Sequence, residues 1–386
     1  MLKEVCDMKS LQYMKDLAHR LVRGCTKITP SGVTLFTPDG VASYDALWLR
    51  DFAYMVEYAG DTITDSEIEG CVRFAIGGRR PEDGWMPDRI YADGLAVYAA
   101  GEVGKPVGLA NLDNTPFLTF IIYELLNRVN ESKARDLFEE WSPDLSRGLL
   151  AIPRSKDGLV YSNPEHPHSP YGFTDTVAKT GELMMESVLL WRACRMMAQM
   201  CARFGKSAQL WEEAAQSVEA ALDVLYDAES GLFLAATQDC RQVDIWGSAY
   251  LLYVGFPTRH KEQVLAGLRR RVDDYVFEGQ IRHLFKGEYW QRLLIDVPRE
   301  TYQNGAYWAT ATGWIAWCLH RTDPAAAARV LRDVLQYFRQ EGSFECVNTG
   351  YQKLGSFVVS ATNVLGGLRR ILAEDPGFEA LMEEEA

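Results

Sequence analysis

Residues 306–319 include no charged side chain on any helical face. A helix built from such a segment has protein on all sides, because it offers water no polar stripe. It follows Tyr302-Gln303-Asn304-Gly305, a polar turn that can present an amide pair and free backbone groups. The same pairing of a polar turn with a segment apolar nearly all round recurs about every sixty residues. The apolar segments open near Asp51, Asp113, Thr180, Asp244, Ala306 and Phe357. Between them lie segments with one apolar face: 11–22, 66–76, 132–150, 210–226, 262–272 and 325–338. Pro143 is expected to interrupt the third of these.

A near-constant period of this length marks a repeat architecture. Helices contacted on all sides, alternating with helices wet on one face, fit two concentric rings. The predicted fold is all-α, an (α/α)6 barrel of six helical hairpins. Long loops at 77–110, 151–178, 278–299 and 342–355, with short β segments such as 33–36, would form its rim. A solenoid of helix pairs is the rival, but it does not explain polar turns at one consistent end. No linker or composition break divides the chain. Residues 1–386 therefore read as one toroidal domain, although length alone admits two or three.

The two helices of each hairpin run in opposite directions, so the six inner helices are parallel and their N-termini share one rim. That geometry gathers Trp48, Arg50 and Asp51, then Asp113 and Asn114, then Asp175, Lys179 and Glu182. Asp244 and Trp246, Gln303 and Asn304, and Glu345 with Asn348 complete the ring, and Trp308 follows the fifth turn. The loops add Trp85, Asp88, Arg89 and Tyr171. Each carboxylate has a plainer reading. Asp113 and Asp244 could simply cap helix N-termini, and Asp51 could pair with Arg50. Lys179 and Glu182 read as a helix-start pair that could also touch a ligand.

The net charge of −13 argues against nucleic acid or an anionic membrane as partner. Ten Trp and eighteen Tyr, many beside Asp, Asn or Gln, supply flat apolar rings next to hydrogen-bonding groups, which suits sugar faces. Eight scattered Cys form no Cys-x-x-Cys pair, and residues 1–7 hold no apolar leader core, so reduced thiols in the cytoplasm are expected. His166-Pro167-His168 has too few neighbouring ligands for a metal site and reads as surface loop. No cofactor is implied. A small carbohydrate is the expected partner, for a monomer or a homodimer.

A funnel of carboxylates, amides and rings suits glycoside cleavage. That reaction needs one carboxylic acid to protonate the leaving oxygen and one carboxylate opposite it. Trp48-Leu49-Arg50-Asp51, Tyr171-Gly172-Phe173-Thr174-Asp175, Tyr302-Gln303-Asn304-Gly305-Ala306-Tyr307-Trp308 and Ser343-Phe344-Glu345-Cys346-Val347-Asn348-Thr349-Gly350 resemble the six-hairpin glycosidases. The resemblance is nearest to the trehalase, processing α-glucosidase and mannosylglycerate hydrolase branch. It implies an inverting, exo-acting hydrolase with Asp175 as general acid and Glu345 as general base. Glu182 and then Asp113 are the alternative acids. The acid loop lacks the Ser-Gly start and the second Asp or Asn often found in that branch, and the large extra domain of several relatives is absent. A sugar epimerase on the same barrel, which would use paired His, and a non-catalytic sugar-binding protein are the rival readings.

Overall fold

The computed structural model describes residues 9–383. Inner helices are α2 (Leu49–Ala59), α4 (Asn114–Arg128), α6 (Met184–Arg203), α8 (Ile245–Tyr253), α10 (Thr312–His320) and α12 (Val358–Glu374). Outer helices are α1 (Ser10–Gly24), α3 (Asp65–Gly77), α5 (Glu131–Ala151), α7 (Gln209–Ala221), α9 (Lys261–Arg270) and α11 (Pro324–Gln340). A short α13 (Phe378–Glu383) follows. Each inner helix packs on the next, and α12 closes on α2, so the ring is complete. The fold is an (α/α)6 barrel.

Burial separates the two rings as the residue patterns require. Every residue of α8 is buried, as is every residue of α2 except Glu57. By contrast, α11 buries one stripe through Ala327, Val330, Leu331, Val334, Leu335 and Phe338. Three outer helices start on side-chain caps: Thr64 and Glu67 form a capping box on α3, Asn130 caps α5, and Asp323 caps α11 just before Pro324. Where α10 crosses α12 the backbones touch. A Cβ on Gly313 would stand 2.3 Å from the Asn363 carbonyl oxygen, so only glycine permits this approach.

Three sequence expectations need correction. First, α10 begins at Thr312 rather than Ala306. Tyr307 and Trp308 are extended, bridged to Val347 and Ile281, and those bridges take the backbone groups a helix would have used. Second, α5 runs unbroken through Pro143. The proline lies on the exposed face, where the carbonyl it leaves without a donor meets water, while buried Trp141, Leu145 and Leu149 hold both halves on the core. Third, 342–355 is not a loop but a hairpin, β1 (Phe344–Asn348) and β2 (Tyr351–Gly355), turning at Thr349-Gly350 with Gly350 at φ +69°. Only glycine takes that conformation without strain.

Aromatic rings fill the barrel axis below the rim. Trp314 lies 4.8 Å from Tyr250 and 5.8 Å from Tyr54, and Trp246 lies 6.2 Å from Trp314, between ring centroids. The barrel is therefore a cup with a closed floor. Among the described residues, seven cysteines are free and buried, and no helix is long and apolar enough to cross a membrane. Cys6 and the N-terminal stretch read above as leaderless lie outside the described residues.

Candidate active site

Arg50, in the first turn of α2, is the node of the rim. Its side chain is buried, and its Nε donates to Asp113 Oδ2 at 3.0 Å and its Nη2 to Asp88 Oδ1 at 2.7 Å. Asp51 Oδ2 lies 3.9 Å from Nη1. Asp88 is delivered by a small sheet: Leu47–Trp48 pairs with Arg89–Ile90, and Arg89 donates to Asp88 Oδ2 at 3.1 Å while covering the Trp48 ring at 4.6 Å. Buried charges persist only when paired in this way. Burial, offset by Arg50 and reinforced by Glu345 and Asp88, pushes the Asp51 carboxyl up to about 8.

The loop before α6 rests on this node. Gly172 donates its N–H to Asp113 Oδ2 at 2.8 Å, and the Arg50 guanidinium lies against the Gly172 Cα. A single 3-10 turn, Gly172–Thr174, then presents Asp175. Its Oδ1 accepts from Gln303 Nε2 at 2.8 Å. The Gln303 oxygen accepts from the Thr176 backbone N–H at 2.8 Å and its hydroxyl at 2.6 Å, which fixes the amide orientation. Burial is the main cause that pushes Asp175 up to about 7; Arg50 and Gln303 oppose it, and Asp88 and Asp113 add to it.

Glu345 comes from β1. Its Oε1 accepts from the Tyr44 hydroxyl at 2.8 Å, and its Oε2 is paired with the Lys353 ammonium. Tyr44 is held in turn by Asp39, whose Oδ2 accepts from the Tyr44 N–H at 2.8 Å. Burial raises Glu345 above the ordinary carboxylate range, with Lys353 and Tyr44 opposing the rise. The hydroxyls of Tyr44 and Tyr302 are each raised by burial and by both Glu345 and Asp175. Residues 302 and 303 join the two sites: Gln303 bonds Asp175, and the neighbouring Tyr302 ring lies under the Lys353 ammonium that pairs with Glu345.

Several residues read from the sequence as ligand-facing turn their polar atoms inward. The Tyr171 hydroxyl shares a 2.8 Å hydrogen bond with Tyr54. Trp85 donates to the Asn111 carbonyl and stacks on His168, whose Nδ1 meets the Ala110 carbonyl. Asn114 donates to Met86 and Tyr98 carbonyls, and Asn304 joins Val297 to Trp290. Trp308 donates to the Tyr302 carbonyl, and Trp246 stacks on the buried His283 at 3.9 Å. Asp244 caps α8 through the Gly247 N–H at 2.8 Å, so its plainer reading holds. For Asp113 the cap reading fails, because its side chain accepts no bond from the α4 terminus.

Lys179 does not pair with Glu182. It is buried against Glu186 Oε1 at 3.2 Å, because Glu182 lies in a strand opposite Tyr161 while Glu186 faces inward from the first turn of α6. Among the described residues, no group of three or more His, Cys, Asp and Glu could hold a metal ion. Sequence reasoning missed Tyr44, Lys353 and the Tyr302 side chain. Tyr44 stands four residues before Trp48 in a turn-rich stretch, a faint signal, and Lys353 carries none without the hairpin register.

The same (α/α)6-barrel fold is found in solved structures of several glycosidases. Among solved structures, a GH63 mannosylglycerate hydrolase from Thermus thermophilus in complex with glucose superposes with a TM-score of 0.64 at 16% identity, over 92% of this chain and 100% of that one. A glucoamylase from Saccharomycopsis fibuligera gives 0.65 at 13% identity, over 97% and 96%. A rhamnosidase from Klebsiella oxytoca with rhamnose bound gives 0.66 at 14%, over 95% of this chain and 64% of that one. At such identities the likeness is one of fold. No protein-family model matches the sequence, and no curated protein matches it.

Proposed function

We propose that the protein is a glycoside hydrolase that removes a terminal sugar from a small oligosaccharide or glycoside with inversion. Asp175 is the general acid and Glu345 the general base. The observation that carries this reading is the pair of buried carboxylates at one rim, held by different partners and linked through the adjacent Tyr302 and Gln303. Neighbours named as mannosylglycerate hydrolase, glucoamylase and rhamnosidase support it.

In this reading the closed aromatic floor admits only a chain end, which makes the enzyme exo-acting. Arg50, Asp51 and Asp88 hold the terminal sugar with Trp48, whose indole N–H is buried without a partner, as is Asp113 Oδ1. Asp175, protonated up to about pH 7, gives its proton to the leaving oxygen. Glu345, ionised, takes a proton from the attacking water. Seven buried free thiols suit a reducing cytoplasm.

The test is turnover of a panel of α- and β-linked disaccharides and aryl glycosides, with the first-released anomer read by NMR. The inverted anomer is expected from one sugar class, and a retained anomer overturns the mechanism. The pH profile offers a second test. Gln303 donates to the ionised form of Asp175 and so lowers its pKa. Gln303→Leu removes that donor, the acid stays protonated to higher pH, and the alkaline limb of kcat/KM moves upward. A downward or unmoved limb refutes Asp175 as the acid.

A further inference from the structure

We infer that Lys353 is a positioning residue for Glu345, clamping its carboxylate in the ionised form and in one orientation so that a water can bind on the remaining lone pairs. The inference rests on the hydrolase reading above for its catalytic meaning. Its geometry stands alone.

The Lys353 ammonium pairs with Glu345 Oε2, donates to the Tyr44 hydroxyl oxygen at 2.9 Å and lies 3.9 Å above the Tyr302 ring. An ionised carboxylate has about four lone-pair sites. Tyr44 and Lys353 occupy one site on each oxygen, which leaves one on each for a water. The side chain of Glu345 is 3% exposed and that of Lys353 is 32% exposed, so the cation reaches from the cup wall to a carboxylate that water scarcely solvates.

The hairpin departs from regular form to make this contact. Its register pairs Cys346 with Lys353 and Phe344 with Gly355, while Glu345 and Leu354 are left out of the ladder. In a regular ladder Lys353 would share the face of Cys346, and Glu345 would point to the other. Leu354 at φ +52° and Ser356 at φ +58° break the pleat at the end of β2. Left-handed non-glycine residues persist only where their surroundings over-determine them, and they cluster at functional sites.

Other groups facing Glu345 do not replace the cation. Asp39, behind Tyr44, and Asp51, on α2, are acids whose charge disfavours ionisation of Glu345. Tyr302, Cys346 and Tyr351 are weak acids that its charge holds protonated. Lys353 is thus the cation that offsets the burial of this carboxylate.

The test is a carboxyl titration of the full chain carrying 13C-labelled glutamate, read by NMR, with the Glu345 signal identified by its loss in Glu345→Gln. In Lys353→Met the midpoint is expected to rise by roughly 1–3 pH units, the range for losing an adjacent opposite charge. Lys353→Arg is expected to keep it close to wild type. If the methionine variant does not fold, Lys353→Gln takes its place. An unmoved midpoint overturns the inference. In turnover, the acid limb of kcat/KM should move upward by the same shift, with KM little changed. A wild type that hydrolyses no glycoside sinks the hydrolase reading, while the titration still decides the role of Lys353.

Discussion

Asp175→Asn is expected to lower kcat on an alkyl-linked or sugar-linked substrate by about 10²–10⁴-fold, the usual worth of a general acid. On an aryl glycoside with a good leaving group the loss should be far smaller, because that leaving oxygen departs without a proton. Glu345→Gln should lose activity to a similar extent on both substrates, since water must be activated whatever the leaving group. The two variants therefore separate acid from base without an assumption about the sugar. Equal loss on both substrates for Asp175→Asn would reject it as the acid and return Glu182 and Asp113 as candidates.

The same variants supply a control for folding. Asp175 has its folded pKa raised to about 7 by burial. The stability this group contributes is complete below its unfolded value near 4 and is lost as pH rises through about 7. Replacing it by a neutral isostere removes that loss. Asp175→Asn should melt at a higher temperature than wild type at pH 8, with the gap closing toward pH 4. Thermal scans across that window check the sign. A variant less stable at pH 8 would contradict the buried, raised carboxyl.

Gly172→Ala is expected to be nearly as damaging to turnover as loss of the acid, and far worse for stability. The Gly172 backbone is not left-handed, so alanine meets no conformational barrier there. The cost comes from contact, since the new Cβ would stand 1.6 Å from Arg50 Cζ. Arg50 must then leave Asp88 and Asp113, and breaking a buried pair in this way typically costs about 3–5 kcal/mol. The loop carrying Asp175 also loses its seat, because Asp113 accepts from both Arg50 and the Gly172 N–H. Adding Gly172→Ala to Arg50→Ala removes the obstacle, so the double variant should be no less stable than Arg50→Ala alone. Additive losses in this cycle would show that the glycine acts through something other than Arg50.

Much of this protein is legible in residue order. The (α/α)6 barrel follows from six segments that no water-facing helix could contain, alternating with six that bury one stripe. Local periodicity decides burial, and burial decides the ring. The gathering of polar turns at one rim follows as well, because alternating helices leave little freedom in which end they present. Position in those turns makes Asp175 and Glu345 two of several rim carboxylates, and the family resemblance of their flanking motifs is what singles them out.

What only the tertiary structure decided is the choice of partners. Asp113 and Asp244 occupy equivalent turns, yet Asp244 caps a helix while Asp113 is taken by Arg50 and the Gly172 N–H. Lys179 could have met Glu182 three residues on, but strand geometry turned it to Glu186. Tyr307 and Trp308 are apolar enough for helix and were drawn into bridges by Val347 and Ile281 instead. Lys353 and Tyr44 reach Glu345 only because a hairpin turn, a break in its ladder and a distant Asp39 nest coincide. Hydrophobic burial depends on the pattern within one segment and can be read there. A hydrogen bond or ion pair depends on atoms that segments far apart in the chain bring within about 3 Å, and only the assembled fold sets that distance.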